Sequence, residues 1–387
     1  MSKTQYPRIP INSEILRWAI KRSGKSIDKL TEIQQMKDLE DWISGKKDPT
    51  VKQLEKFSTT TSIQFGYLFF SSPPSEQIHI PHFRTSSSSP LDGPSTNLID
   101  TVQIIEQRQD WMLEYLVADG AEPLDFVGSA KPTDSYKDVA LGIKEELDMG
   151  QDWASTHSNW SDALAAMKNS VENAGIFLSA SGVVGHNNNR LLDPEEFRGF
   201  VLVDKYAPFI FLNNRDFKAA QMFTLAHELA HVWTGSSAAF DLHKLSPARN
   251  TLERACNQIA AEFLVPMDNL VQKWNEFGGE SNSFQAGARH FKVSEVVVAR
   301  RALDAQLISN AEFRKFYQAQ QKVTKDRKSD GGNFYNTAHT RIGKAFLRNV
   351  INATKEGRLL YGEAYNLTGL GRRSFDGIVA HVEEKSA

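Results

Sequence analysis

The sequence is poor in the residues that several common chemistries require. Cys256 is the only cysteine in 387 residues, which excludes internal disulfides and any metal site built on several thiolates. A bound metal must therefore rest on histidine and carboxylate. No apolar run approaches the roughly 20 residues that cross a bilayer as a helix, so no membrane is expected among the partners. The opening "MSKTQYPRIPINSEILRW" has no signal-peptide apolar core followed by a small-residue cleavage site, and the expected location is the cytoplasm. Neither a glycine-rich phosphate loop nor a Ser-His-Asp pattern stands out, leaving nucleotide-driven and serine chemistry without support. No internal repeat marks a solenoid. The formal net charge of -2 excludes a uniformly basic surface. Arg314 to Ala387 nevertheless holds fourteen Lys and Arg against seven Asp and Glu. That tail suits nucleic acid or an acidic partner, although a solvated helical face is the commoner reading.

What is present describes an ordinary globular chain, 40% hydrophobic and 24% charged, whose length predicts roughly two to three domains. The first eighty residues show apolar positions near helical spacing, among them Ile15, Leu16, Ala19 and Ile20, then Met36, Leu39, Trp42 and Ile43. Thr50 followed by Gln53 in "DPTVKQLEKF" reads as a capping box. "LRWAIKRSGKSIDKL", "LEDWISGKKDPTVKQLEKF" and "FGYLFF" together resemble an XRE-type helix-turn-helix domain. Its third helix, "EIQQMKDLEDW", should enter the major groove. It carries Glu32, Asp38, Glu40 and Asp41, which repel phosphate, so protein binding is favoured over sequence-specific DNA binding.

"FRTSSSSPLDGPST", Phe83 to Thr96, reads as a linker. After it come one long amphipathic helix ending at Gly120, a second helix through "DSYKDVALGIKEELDM", then a helix and strand in "SDALAAMKNSVENAGIFLSASG". "FRGFVLVD" and "APFIFLNN" read as two more strands. Phe284 to Ser309 scans as a second helix-turn-helix-like unit, with Ser294 opening its second helix and Arg300 and Arg301 exposed on it. Two packing helices of the preceding domain are an equally good account. A Gly-rich opening and three helices complete the chain. The expected fold is α+β and predominantly helical, with a small mixed sheet. The expected segments are 1–82, a helix-turn-helix module; 83–150, a linker and helical connector; 151–280, the sheet-containing domain; and 281–387, a helical region.

Chemistry concentrates in "FTLAHELAHVW", Phe223 to Trp233. Residues four apart share a helix face, so His227 and His231 can bring imidazole nitrogens to one ion. Glu228 lies one residue round from His227, placed to act as general base on a water held by that ion. The pentapeptide HExxH also arises by chance, so a third ligand decides the matter. Thr234 and Ser237 stand where HExxHxxGxxH needs Gly and His, which closes the metzincin route. A carboxylate from a following helix remains, and Glu253 in "TLERACNQIAAEFLVP" supplies one. Asn257, one turn later, is a candidate to hold a histidine's outer nitrogen. Asp241, His243 and Glu262 are the alternatives to Glu253.

The motifs "GFVLVD", "APFIFLN", "FTLAHELAHVW" and "LERACNQIAAEFLVP", in that order, resemble the ImmA/IrrE family of zinc metallopeptidases over about Leu164 to Asn269. The N-terminal module and the C-terminal "GGNFYNTAHTRIGKAF" and "EGRLLYGEAYNLTG" resemble longer members with a fused XRE-like module. The resemblance implies a gluzincin-like peptidase fold, Zn2+ held by His227, His231 and Glu253, and Glu228 as catalytic acid/base. It also implies cleavage of a DNA-binding repressor, or an antitoxin that binds and neutralises a cognate toxin from a neighbouring gene and uses the peptidase fold as a scaffold. Ala255 and Cys256 stand where many members have Glu and Ala. Among other residues, Cys256 is expected as a small core residue, His186 as a loop residue, and His79 and His82 in structural use because Pro81 separates them. Arg198 with Asp204 is a candidate lining of a substrate cleft.

Overall fold

Helix caps, apolar stripes and fully buried strands account for most of the architecture. The computed structural model describes residues 7–74, 94–240, 251–277, 282–321 and 334–386; His79, His82, Asp241, His243 and most of the expected linker lie outside them. The chain divides into two units, Met1–Ile78 and His79–Ala387.

The first unit holds α1 (Ser13–Ser23), α2 (Ile27–Thr31), α3 (Leu39–Ile43) and α4 (Val51–Thr61). Ile15, Leu16, Leu30, Met36, Trp42 and Phe57 form its core. The expected capping box closes at α4, where the Thr50 N–H donates to Gln53 Oε1 at 2.9 Å. The expected third helix is broken. Its residues form a 3-10 turn, Gln34–Met36, followed by the five-residue α3. Burying Met36, Leu39 and Trp42 together outweighs the weak tendency of so short a stretch to run as one helix.

The second unit contains α5 (Thr96–Ala118), α6 (Tyr136–Glu146), α7 (Trp160–Asn173), β1 (Phe177–Ser181), β2 (Val183–Val184), β3 (Asn187–Leu191), β4 (Gly199–Leu202) and β5 (Phe209–Asn213). It continues through α8 (Lys218–Thr234), β6 (Ala238–Phe240), α9 (Thr251–Leu264), α10 (Met267–Lys273), α11 (Ser283–Phe291), α12 (Glu295–Asp304) and α13 (Asn310–Gln321). It ends with α14 (Phe334–Ile342), α15 (Lys344–Lys355), α16 (Tyr361–Thr368) and α17 (Arg372–Ser386). One core cluster runs from Phe126 to Val298, so α6, the sheet and α12 share a single interior.

Predominantly helical α+β architecture with a small mixed sheet is what the structure has. Its main sheet runs β1-β5-β4-β6, with β1 parallel to β5 and the other pairs antiparallel. Every residue of β1, β4 and β5 is buried. Such strands read as continuous apolar runs because both faces are covered. Leu178, Ala180, Ile210 and Leu212 face the cluster containing α7 and α8. The alternate residues face the C-terminal helices: Phe209 meets Phe346 edge-on at 5.9 Å, and Ser179 Oγ donates to the Ile342 carbonyl at 2.8 Å.

That second face is fastened by Arg108 of α5. Its guanidinium is buried and donates to the carbonyls of Leu367, Arg341 and Ile342 at 3.1, 3.2 and 3.4 Å, and to Ser179 Oγ at 3.3 Å. Burial lowers its pKa to about 10.

Two sequence expectations change in the C-terminal half. Four helices, not three, close the chain, because α14 stops at Gly343 and α15 starts afresh. Arg301 is buried rather than exposed. It donates to Glu262 and to the Val265 carbonyl, clamping α12 onto the end of α9. Arg300 is exposed and pairs along its own helix with Asp304 at 3.2 Å. Ser294 does cap α12 as expected, its hydroxyl accepting from the Val297 N–H at 3.3 Å. With Val298, Ala299 and Ala302 also buried, α11 and α12 are packing helices of the larger unit.

Candidate metal centre

The histidine helix, α8, lies over the sheet at an unusually close approach. A Cβ on Gly199 of β4 would stand 2.6 Å from Thr224 Cγ2 and 2.8 Å from the Phe211 carbonyl, so only glycine fits there. The helix ends at Gly235, left-handed at φ 69°, which favours glycine. All of Thr224 to Trp233 is buried, and Trp233 stacks on Phe126 at 4.5 Å. Four backbone turns thus fix two imidazoles on the face that meets α9.

His227 and His231 are fully buried, with their Nε2 atoms 3.1 Å apart. From the first turn of α9, Glu253 brings Oε2 to 3.4 Å from His227 Nε2 and Oε1 to 3.5 Å from His231 Nε2. The structure therefore brings these three predicted residues together, with ligand atoms within 4.8 Å of one another. Two neutral imidazoles and a carboxylate are the donor set of a hydrolytic zinc site. The ligand atoms of these three residues lie close enough together to share one ion.

Glu228 is fully buried, and neither carboxylate oxygen has a hydrogen-bond partner among the described residues. Burial pushes its pKa well above the usual carboxylate range, and the charge of Glu253 adds to the shift. Asn257 makes no hydrogen bond to either imidazole among the described residues. Cys256 Sγ instead faces His231 Nδ1 at 3.7 Å. Cys256 is fully buried in the core cluster, and desolvation first, then Glu253, drives its thiol pKa upward. Its position next to Asn257 in the alanine-rich helix was visible in sequence; its contact with the histidine was not.

The other described candidates make contacts away from the histidines. Glu262 is engaged by Arg301 and accepts from the Met267 N–H at 3.2 Å. Arg198 and Asp204 do not pair. Arg198 meets Asp216 at 3.1 Å, while Asp204 Oδ1 accepts from the Tyr206 and Ala207 N–H groups at 2.8 and 2.9 Å in a local turn. His186, between β2 and β3, contacts the Thr368 carbonyl at 2.9 Å.

A buried His-Glu pair on one helix, completed by a glutamate from the next and set on a small mixed sheet, is a metallopeptidase-like arrangement. Residues 184–303 match the family model described as the IrrE N-terminal-like domain, which supports the ImmA/IrrE family for this domain. The match spans the histidine helix, Glu253 and both α11 and α12. Residues 342–381 match a domain of unknown function, DUF8813. No curated protein matches the chain. No helix among the described residues is long and apolar enough to cross a membrane.

Proposed function

We propose that this chain is a zinc-dependent endopeptidase of the ImmA/IrrE type, acting in the cytoplasm on one specific regulatory protein, a repressor or a toxin partner. The XRE-like first unit is its recognition module, for protein or DNA. The observation that carries the reading is the convergence of His227, His231 and Glu253, with the buried Glu228 carboxylate next to His227 unpaired among the described residues.

His227 and His231 hold the ion through Nε2 and Glu253 through its carboxylate. Zinc, when bound, lowers the pKa of water towards about 7 and polarises the scissile carbonyl. An imidazole that donates through Nε2 carries its proton on Nδ1, so at His231 that N–H points to Cys256 Sγ, which accepts it. The sulfur fixes the ring's tautomer and plane, as an outer partner of a ligating histidine does. Among the described residues Glu228 has no competing hydrogen bond, which leaves its carboxylate available to a water beside the three ligands. It takes the proton of the attacking water and passes it to the leaving amide nitrogen.

The test uses the full-length chain loaded with zinc and the protein encoded beside it. Removing a general base costs about 10²- to 10⁴-fold in rate. Glu228→Gln should therefore retain zinc, measured by elemental analysis, yet lose cleavage of that protein followed by mass spectrometry. A zinc-loaded Glu228→Gln chain that cleaves at the parent rate overturns the assignment.

A further inference from the structure

A second chemistry-bearing feature lies where α7 faces the start of α15. The inner stripe of α7, Ala163, Leu164, Met167 and Val171, is spent on the core. Its neighbouring stripe carries Lys168, Asn169 and Glu172, and α15 presents Lys344 and Arg348 four residues apart on one face. Between them is a cleft of about 320 Å³, lined by Asn169, Glu172, Lys344 and Arg348 among others. That volume sits at the lower end of small-ligand clefts, roughly 300 to 1,000 Å³.

The charge in this cleft is unbalanced. Glu172 supplies the one carboxylate, and its Oε1 is already engaged by the Ala345 N–H at 2.9 Å. Lys344 Nζ donates to Asn169 Oδ1 at 2.9 Å, a neutral partner. Lys168, Lys218, Lys344 and Arg348 form no ion pair among the described residues. Lys168 is half-buried; desolvation chiefly, then Lys218, with Lys344 in the same direction, lowers its pKa to about 8, against the pull of Glu172. A single cation would have sufficed to balance Glu172. Ordinary solvated cations spread apart over a convex surface, whereas Lys344 and Arg348 line one concave cleft with Lys168 close enough to feel Lys344, an arrangement that a bound anion stabilises.

We propose that the α7–α15 cleft is a binding site for a phosphate group, with Arg348 as the forked donor and Lys344 as a point charge. The group is either free phosphate or the phosphate of a mononucleotide; the cleft is too small for a duplex. The site joins the sheet-containing core to the helices of the 342–381 segment, and it is independent of the metal centre.

The test is calorimetric titration of the full-length chain, in a low-salt buffer free of phosphate, with sodium phosphate and separately with AMP. Saturable binding of one ligand per chain is expected, and whichever probe binds more tightly identifies the source. Arg348→Gln should weaken it roughly tenfold, the loss of one charge-assisted hydrogen bond. Lys355→Gln, on the same helix but outside the cleft, should leave it unchanged. Arg348 and Lys344 are exposed, so an unchanged melting temperature is expected in Arg348→Gln and Lys344→Gln alike. No saturable heat with either probe overturns the proposal. So does equal affinity in Arg348→Gln, which would place the anion at the metal centre, or equal weakening by Lys355→Gln, which would reduce the effect to general electrostatics.

Discussion

Lys144 of α6 offers a quantitative test of the interior beneath α8 and α9. It is 3% exposed, its ammonium donates to Gln151 Oε1 at 3.4 Å, and it lies 5.8 Å from the ring centre of Phe263 on α9. No carboxylate pairs with it among the described residues. Burial lowers its pKa from 10.5 to about 8, with Glu262 and Asp152 opposing the shift. That fall corresponds to about 3 kcal/mol of disfavour for the charged form in the folded chain. The sign follows from proton counting. Below pH 8 both states are protonated and the folded state bears the full cost. Between pH 8 and 10.5 the unfolded chain keeps a proton that the folded chain has shed, so stability rises with pH. Lys144→Met keeps the length and removes the charge, and exposed Gln151 regains water. It should raise stability at pH 7 by about 2 to 3 kcal/mol, or roughly 3 to 5 °C in the melting temperature of the larger unit. The gain should fade by pH 10.5. Scanning calorimetry at pH 7, 9 and 10.5 reads both. A Lys144→Met chain less stable than the parent at pH 7, or a gain that does not shrink with pH, refutes the reasoning.

Two further outcomes follow from named contacts. Glu253→Ala should weaken zinc binding by more than the roughly 10- to 100-fold typical of an outer-shell loss, as read by competition with a chromophoric chelator, while leaving the helical circular dichroism intact. Arg301→Ala leaves Glu262 buried without its cation and should destabilise the chain by about 3 to 5 kcal/mol in urea unfolding; Glu262→Met combined with Arg301→Leu should recover most of that loss.

Local chemistry was legible in the sequence wherever one element carried it. The i, i+4 histidines, the capping box of Thr50 and Gln53, the Ser294 cap and the apolar runs of β4 and β5 all follow from periods and caps within a single segment. The β2–β3 hairpin was not legible, because "NNNRL" has poor strand propensity and its exposed side chains give no apolar signal. β6 is three residues long and exists by pairing with β4. The broken third helix was hidden too, since its apolar spacing fits one helix or a turn and a helix equally well.

Buried cations are the systematic blind spot, and the reason is distance along the chain. Composition places Arg and Lys at the surface, yet Arg301 finds Glu262 39 positions away, and Arg108 finds carbonyls more than 230 positions away. The two solve burial differently. Arg301 is neutralised by a carboxylate, so removing either partner strands a charge. Arg108 forms no ion pair among the described residues; it meets the carbonyl ends of Arg341, Ile342 and Leu367, the Ser179 hydroxyl and the Phe346 ring. Backbone carbonyls cannot be mutated away or titrated, so this joint between the sheet and the C-terminal helices is insensitive to the pH of its partners and weakly screened by salt. The sheet beneath the histidine helix thus gains a fixed second face from hydrogen bonds that no sequence period encodes.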